Sequence, residues 1–68
     1  MDEELLTRRF EIESKVFFLD LKKNPNGLYL KITEKSGDKR NFIIIPERGI
    51  EEFYSELGKF VEEKKELR

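Results

Sequence analysis

Neither cysteine nor histidine occurs among the 68 residues. Without cysteine no disulfide can staple so short a chain. Without either residue the usual zinc sites are excluded, as are the thiol and imidazole partners of most nucleophilic catalysis. Tryptophan is absent, and there are only two prolines and four glycines. Long apolar runs are missing too. The longest, Phe42 to Pro46, falls far short of the ~20 residues a spanning helix needs. The opening stretch Met1-Asp2-Glu3-Glu4 is acidic, where a secretory signal would be basic. These absences predict a soluble, cytoplasmic, non-enzymatic domain with no cofactor, no metal, no membrane contact and no small-molecule substrate.

What is present is charge and a pattern. The net charge is −1, but it is unevenly spread. Residues 1–14 hold two basic and five acidic side chains, residues 15–46 seven basic and three acidic, and residues 47–68 five basic and seven acidic. A basic middle flanked by acidic ends is an asymmetry that points to an anionic partner of the middle. A chain of this size buries only ~60% of its unfolded surface and is marginal alone. Self-association is therefore the expected further source of stability.

The basic middle alternates with period two. Phe17, Leu19 and Leu21 interleave with Phe18, Asp20 and Lys22, and Leu28, Leu30 and Ile32 with Tyr29, Lys31 and Thr33. This is the signature of strands with one buried face. Asn24-Pro25-Asn26-Gly27 and Ser36-Gly37-Asp38-Lys39 read as turns. Phe42 to Ile45 reads as a further strand, and Phe10 and Ile12 mark one upstream. Ile50, Phe53, Leu57, Phe60 and Val61 recur at helical spacing, with Pro46 at the helix start and Glu47, Glu51 and Glu52 near its positive pole. Lys64, Lys65 and Arg68 suit the other pole. The expected domain is α+β: a four-stranded antiparallel sheet, with strands at about 7–14, 15–23, 28–35 and 40–46, followed by one helix at about 47–66 that covers the apolar sheet face. Gly58, costly inside a helix, is expected to permit close approach of a strand or another helix.

The other sheet face would carry Phe18, Lys22, Tyr29 and Lys31, flanked by Lys15, Asn24 and Arg40. Rings beside ammonium groups suit stacking of unpaired bases and neutralisation of phosphates. A plain solvated or self-associating face is the competing reading. Asp20 is expected to pair with Lys22 on this surface, and Glu51-Glu52 and Glu62-Glu63 to be solvated, since adjacent helix residues do not share a face.

From Lys15 to Ile32 the residues become more specific. Lys15-Val16-Phe17-Phe18-Leu19-Asp20-Leu21-Lys22-Lys23-Asn24, then Gly27-Leu28-Tyr29-Leu30-Lys31-Ile32, resembles the PUR repeat of the purine-rich element binding proteins and their single-repeat bacterial relatives. In that family a Lys-x-Phe-Tyr-Leu-Asp-Val-Lys run ends in Lys-x-Asn, and Gly-Arg-Phe-Leu-Lys-Ile follows a turn. Phe53 with Leu57-Gly58-Lys59-Phe60 is similar to the family's Phe followed by Leu-Gly-x-Phe. The resemblance covers about residues 8–64. It implies a Whirly-like ββββα repeat that intertwines with a second copy as a homodimer. It also implies binding of single-stranded DNA or RNA, often purine-rich, in transcription regulation.

Carried over, the Lys-x-Asn element falls on Lys22 and Asn24 and the stacking aromatic on Tyr29. Ser14 and Lys15 fall on polar residues that contact nucleic acid in relatives. The implied set is Ser14, Lys15, Phe18, Lys22, Asn24, Tyr29, Lys31 and Arg40. Three positions depart from the pattern: Glu13 where Gln is expected, and Val16 and Leu28 where Arg is expected. They favour the alternative of a protein-interaction or scaffold module that keeps the fold and binds little nucleic acid.

Overall fold

The computed structural model describes residues 2–67. Four strands, β1 (Glu3–Ile12), β2 (Lys15–Asn24), β3 (Gly27–Ser36) and β4 (Lys39–Pro46), precede one helix, α1 (Glu47–Lys65). The strands form an antiparallel sheet in sequence order, so each pairs only with its chain neighbours. Three tight turns set this order. Glu13 adopts φ 55° in the β1–β2 turn, and Gly27 and Gly37 supply positive φ at the other two. In the second turn the Asn26 N–H donates to Asn24 Oδ1 at 2.9 Å, an Asx turn that leaves the positive φ to Gly27.

β1 starts at Glu3, upstream of the first alternating residues. The adjacent leucines Leu5 and Leu6 mask its period. A register shift between Glu4 and Leu6 resolves the conflict, because a bulge admits one extra residue and lets Leu6 rejoin the apolar face opposite Leu21.

Registers assign the faces. Leu6, Phe10 and Ile12 of β1 oppose Leu21, Phe17 and Lys15 of β2. Leu19 and Leu21 oppose Ile32 and Leu30, which oppose Ile43 and Ile45. On this face Phe10 and Phe17 stack with centroids 5.5 Å apart. The helix lies on the same side, where Ile50 and Glu47 share a cleft with Leu6, Leu19, Leu21, Leu28 and Leu30.

The expected shielding of this face by the helix is not what the chain does. α1 touches β3 and β4 only, and only Gly49 and Ile50 within it are even half-buried. Its apolar stripe stays in solvent, with Phe53 41% and Leu57 49% exposed. Among the described residues no apolar side chain is buried, and the one buried residue is Thr33. The radius of gyration is 14.1 Å, against about 11 Å for a compact chain of this length. The reason lies in the connection. Pro46 ends β4 and is itself the helix N-cap, so no loop exists to fold the 19-residue helix back across the sheet.

A Cβ at Gly49 would touch Ile45 Cγ2 at 3.4 Å, whereas one at Gly58 would meet nothing within 4 Å. The close approach expected at Gly58 is thus not made within this chain. Arg68, assigned to the helix end from sequence, lies outside the described residues. No helix among them is long and apolar enough to cross a membrane.

Candidate nucleic-acid interface

The face turned away from the helix is set by the complementary residues of each strand. Its middle rows are Arg9, Phe18, Thr33 and Phe42, then Thr7, Asp20, Lys31 and Ile44. Towards the β2–β3 turn comes Glu4, Lys22, Tyr29 and Pro46, with Asn24 beyond. Towards the other end lie Glu11, Val16, Lys35 and Arg40. From Val16 to Asn24 this surface runs roughly 27 Å at ~3.4 Å per residue.

Five of the eight residues expected from sequence share the face as one stripe: Phe18, Lys22, Asn24, Tyr29 and Lys31. Arg40 joins them at the far end, exposed and opposite Lys35. Ser14 sits in the β1–β2 turn at that same end. Lys15 does not join them. It is in phase with Phe17 and Leu19 on the helix side, and its Nζ pairs with Glu34 Oε2 at 2.6 Å. Period two decides this, since Lys15 and Phe18 are an odd number of residues apart.

Two of the rings on this face make specific contacts. Tyr29 Oη donates to the Asp2 carboxylate. Asp2 precedes β1, two strand spacings of ~4.8 Å from β3, so the ring lies across β2 beside Lys22. That hydrogen bond raises the Tyr29 pKa above its ordinary value, helped by partial desolvation and the nearby negative charge. Lys31 Nζ sits 4.5 Å from the Phe42 ring centroid, a cation–π arrangement that holds an ammonium group over the sheet.

Asp20 accepts from Thr7 Oγ1 rather than pairing with Lys22 as expected, because the β1 register brings Thr7 directly opposite. Lys22, Lys31 and Arg40 form no ion pair among the described residues. Free ammonium and guanidinium groups beside the half-buried rings of Phe18 and Tyr29 and the exposed ring of Phe42 can bind phosphates and stack bases at once.

Sequence comparison matches one family model, described as PurA ssDNA and RNA-binding protein, over residues 2–68. The chain belongs to the PurA family. Transcription factor Pur-alpha 1 of Arabidopsis thaliana is 43% identical over 60 residues, covering 88% of this chain and 20% of that protein. Human transcriptional regulator protein Pur-beta is 36% identical over 61 residues, covering 88% and 20%. Human transcriptional activator protein Pur-alpha is 36% identical over 61 residues, covering 88% and 19%. This PurA-family chain therefore spans about one fifth of the length of the curated relatives it matches.

The structure adds two residues to the candidate interface of this PurA-family chain that sequence reasoning missed. Phe42 and Ile44 lie on the stripe, 57% and 48% exposed. In the run Phe42-Ile43-Ile44-Ile45 every residue is apolar, so polarity could not assign sides. The Ser36↔Lys39 closure of the β3–β4 turn could have, since it places Phe42 opposite Thr33. Of the three departures from the family pattern, only Val16 falls on this face. Leu28 lines the helix-side cleft, and Glu13 occupies the strained turn position.

Proposed function

We propose that this chain is a single PUR repeat that pairs with a second copy through its helix side and binds single-stranded DNA or RNA on the opposite face. The observation that carries the reading is the division of the sheet. One side holds Phe18, Tyr29 and Phe42 interleaved with Lys22, Lys31 and Arg40. The other is largely apolar, and its own helix lies only beside β3 and β4.

Phosphate contacts supply most of the affinity and make it fall with salt. Stacking on the rings selects strands whose bases are unpaired. The binding is non-catalytic and cytoplasmic, and its use is regulatory, in line with the transcription factors and regulators it resembles.

The helix side supports the homodimer. Leu6, Phe10, Ile12 and Ile43 of the sheet and Phe53, Leu57, Phe60 and Val61 of the helix are all exposed large hydrophobics. The β1–β2 half of the sheet is touched by no helix of its own chain. Two copies related by a twofold axis can lay each helix on the other's uncovered half, so that one patch on each copy serves both. The resulting core is what the chain lacks alone, since none of its described apolar side chains is buried.

A fluorescence-anisotropy titration with short purine-rich and pyrimidine-rich oligonucleotides tests the binding face. Affinity should fall with salt at a log–log slope of about −0.7 per phosphate neutralised. Tyr29→Ala should weaken single strands roughly tenfold or more, and duplexes less. Absence of binding even at low salt would refute the proposal in favour of a protein-interaction module.

A further inference from the structure

The bulge in β1 has a second effect, at the start of the strand. Thr7 stands opposite Asp20 on the face turned away from the helix. Under unbroken alternation Glu4, three residues earlier, would lie on the helix side. The extra residue between Glu4 and Leu6 reverses the phase. Glu4 therefore stands opposite Lys22 on the face turned away from the helix, and Glu3 goes to the helix side opposite Lys23. Asp2, in step with Glu4, follows it, and its carboxylate accepts the hydrogen bond from Tyr29 Oη.

Lys22 is flanked as a result. Glu4 is its direct neighbour on β1 and Tyr29 its direct neighbour on β3. The Tyr29 hydroxyl, reaching across β2, holds the Asp2 carboxylate beside the same ammonium group. Neither acid forms an ion pair with Lys22 among the described residues, so both act on it through their field. Asp2 lies ahead of Glu3, the first residue of the β1–β2 ladder. The Tyr29 bond is its one side-chain hydrogen bond among the described residues, and Asp2 swings free when that bond breaks.

Two carboxylates within a Debye length of ~10 Å oppose any polyanion that approaches Lys22. We propose that Asp2 and Glu4 form an autoinhibitory latch. Asp2 is hooked to the Tyr29 hydroxyl, Glu4 stands beside it, and together they cover the Lys22 end of the face with negative charge. A nucleic-acid strand engages this end fully only after the hook has opened. Opening gives up one exposed hydrogen bond, so the latch lowers affinity without abolishing it. The proposal rests on the single-strand reading of the face and adds an internal competitor to it.

The test is fluorescence anisotropy with a ten-nucleotide single strand at one low salt concentration. The double variant Asp2→Ala, Glu4→Gln removes both charges and should tighten binding roughly five- to tenfold. Tyr29→Phe removes the hook, keeps the ring, and should tighten binding roughly two- to fivefold. Tyr29→Phe added to Asp2→Ala should bring no further gain, because both break the same bond. Glu4→Gln should tighten binding by more than Glu3→Gln, which makes the same charge change on the helix side. If the parent binds and the double variant binds no tighter, or Tyr29→Phe weakens binding, or Glu3→Gln matches Glu4→Gln, the latch is wrong and the single-strand reading survives. If the parent fails to bind and the double variant binds, both stand. If no variant binds, both fall together.

Discussion

Replacing Phe53 by Ala tests whether the bare helix stripe is an interface. The ring is 41% exposed. A Phe side chain offers ~200 Å², so roughly 80 Å² waits to be covered, worth ~2 kcal/mol at ~25 cal/mol per Å². A twofold dimer contains the residue twice, which brings the loss to ~3–4 kcal/mol after allowing for what alanine still covers. At ~1.4 kcal/mol per decade this weakens dimerisation roughly a hundred- to thousandfold. Because the proposed dimer would supply the core, the variant should also unfold earlier, and its midpoint should depend on protein concentration. Sedimentation equilibrium across a wide concentration range is the assay, with Tyr54→Ala as control. Tyr54 is 78% exposed at the border of the stripe and should change the equilibrium little. A parent chain that sediments as a folded monomer of 8.2 kDa, or a Phe53→Ala variant that dimerises like the parent, would refute the reasoning.

Three further outcomes are expected. Lys22→Gln should weaken single-strand binding and reduce the salt slope by about 0.7, whereas Lys15→Gln, on the helix side, should leave the slope unchanged; equal effects would show that the faces are misassigned. Glu13→Asn should stabilise the fold by ~1 kcal/mol, since asparagine tolerates the positive φ that glutamate adopts at a cost, and an unchanged or lowered denaturant midpoint would contradict this. Removing the hydrogen-bond acceptor with Asp2→Ala should lower the Tyr29 titration back towards ~10, read by ultraviolet absorbance. With the folded-state pKa raised in the parent, this bond contributes below the unfolded value of ~10 and is lost as pH rises through the folded one.

Where polarity alternated, the strands could be read with their sides. Phe17, Leu19 and Leu21 against Phe18, Asp20 and Lys22 fixed β2, and the register of β3 followed from the Asn24↔Gly27 closure. Where it did not alternate, sides were lost, as for Phe42 to Ile45 and for the Leu5-Leu6 pair that hides a bulge. The family resemblance places Lys15 with Ser14 among the contacting residues, but its parity with Phe17 sets it on the helix side. The helix itself was visible in the spacing of Ile50, Phe53 and Leu57. Its direction was not, because a 3.6-residue period reports that a stripe will be buried without saying by which molecule. That information sits in the direct Pro46–Glu47 junction.

The outer margin of β1 has a consequence for how many copies can associate. From Glu3 to Ile12 this strand is paired on one side only, so its unused amides and carbonyls offer a template on which a further strand could add. Three features blunt it: the kink between Glu4 and Leu6, the Arg8-Arg9 pair, and Glu11, which Arg9 grips at 3.0 Å. Like charges brought side by side by an identical incoming strand would repel. Growth through this edge into fibrils is thereby discouraged.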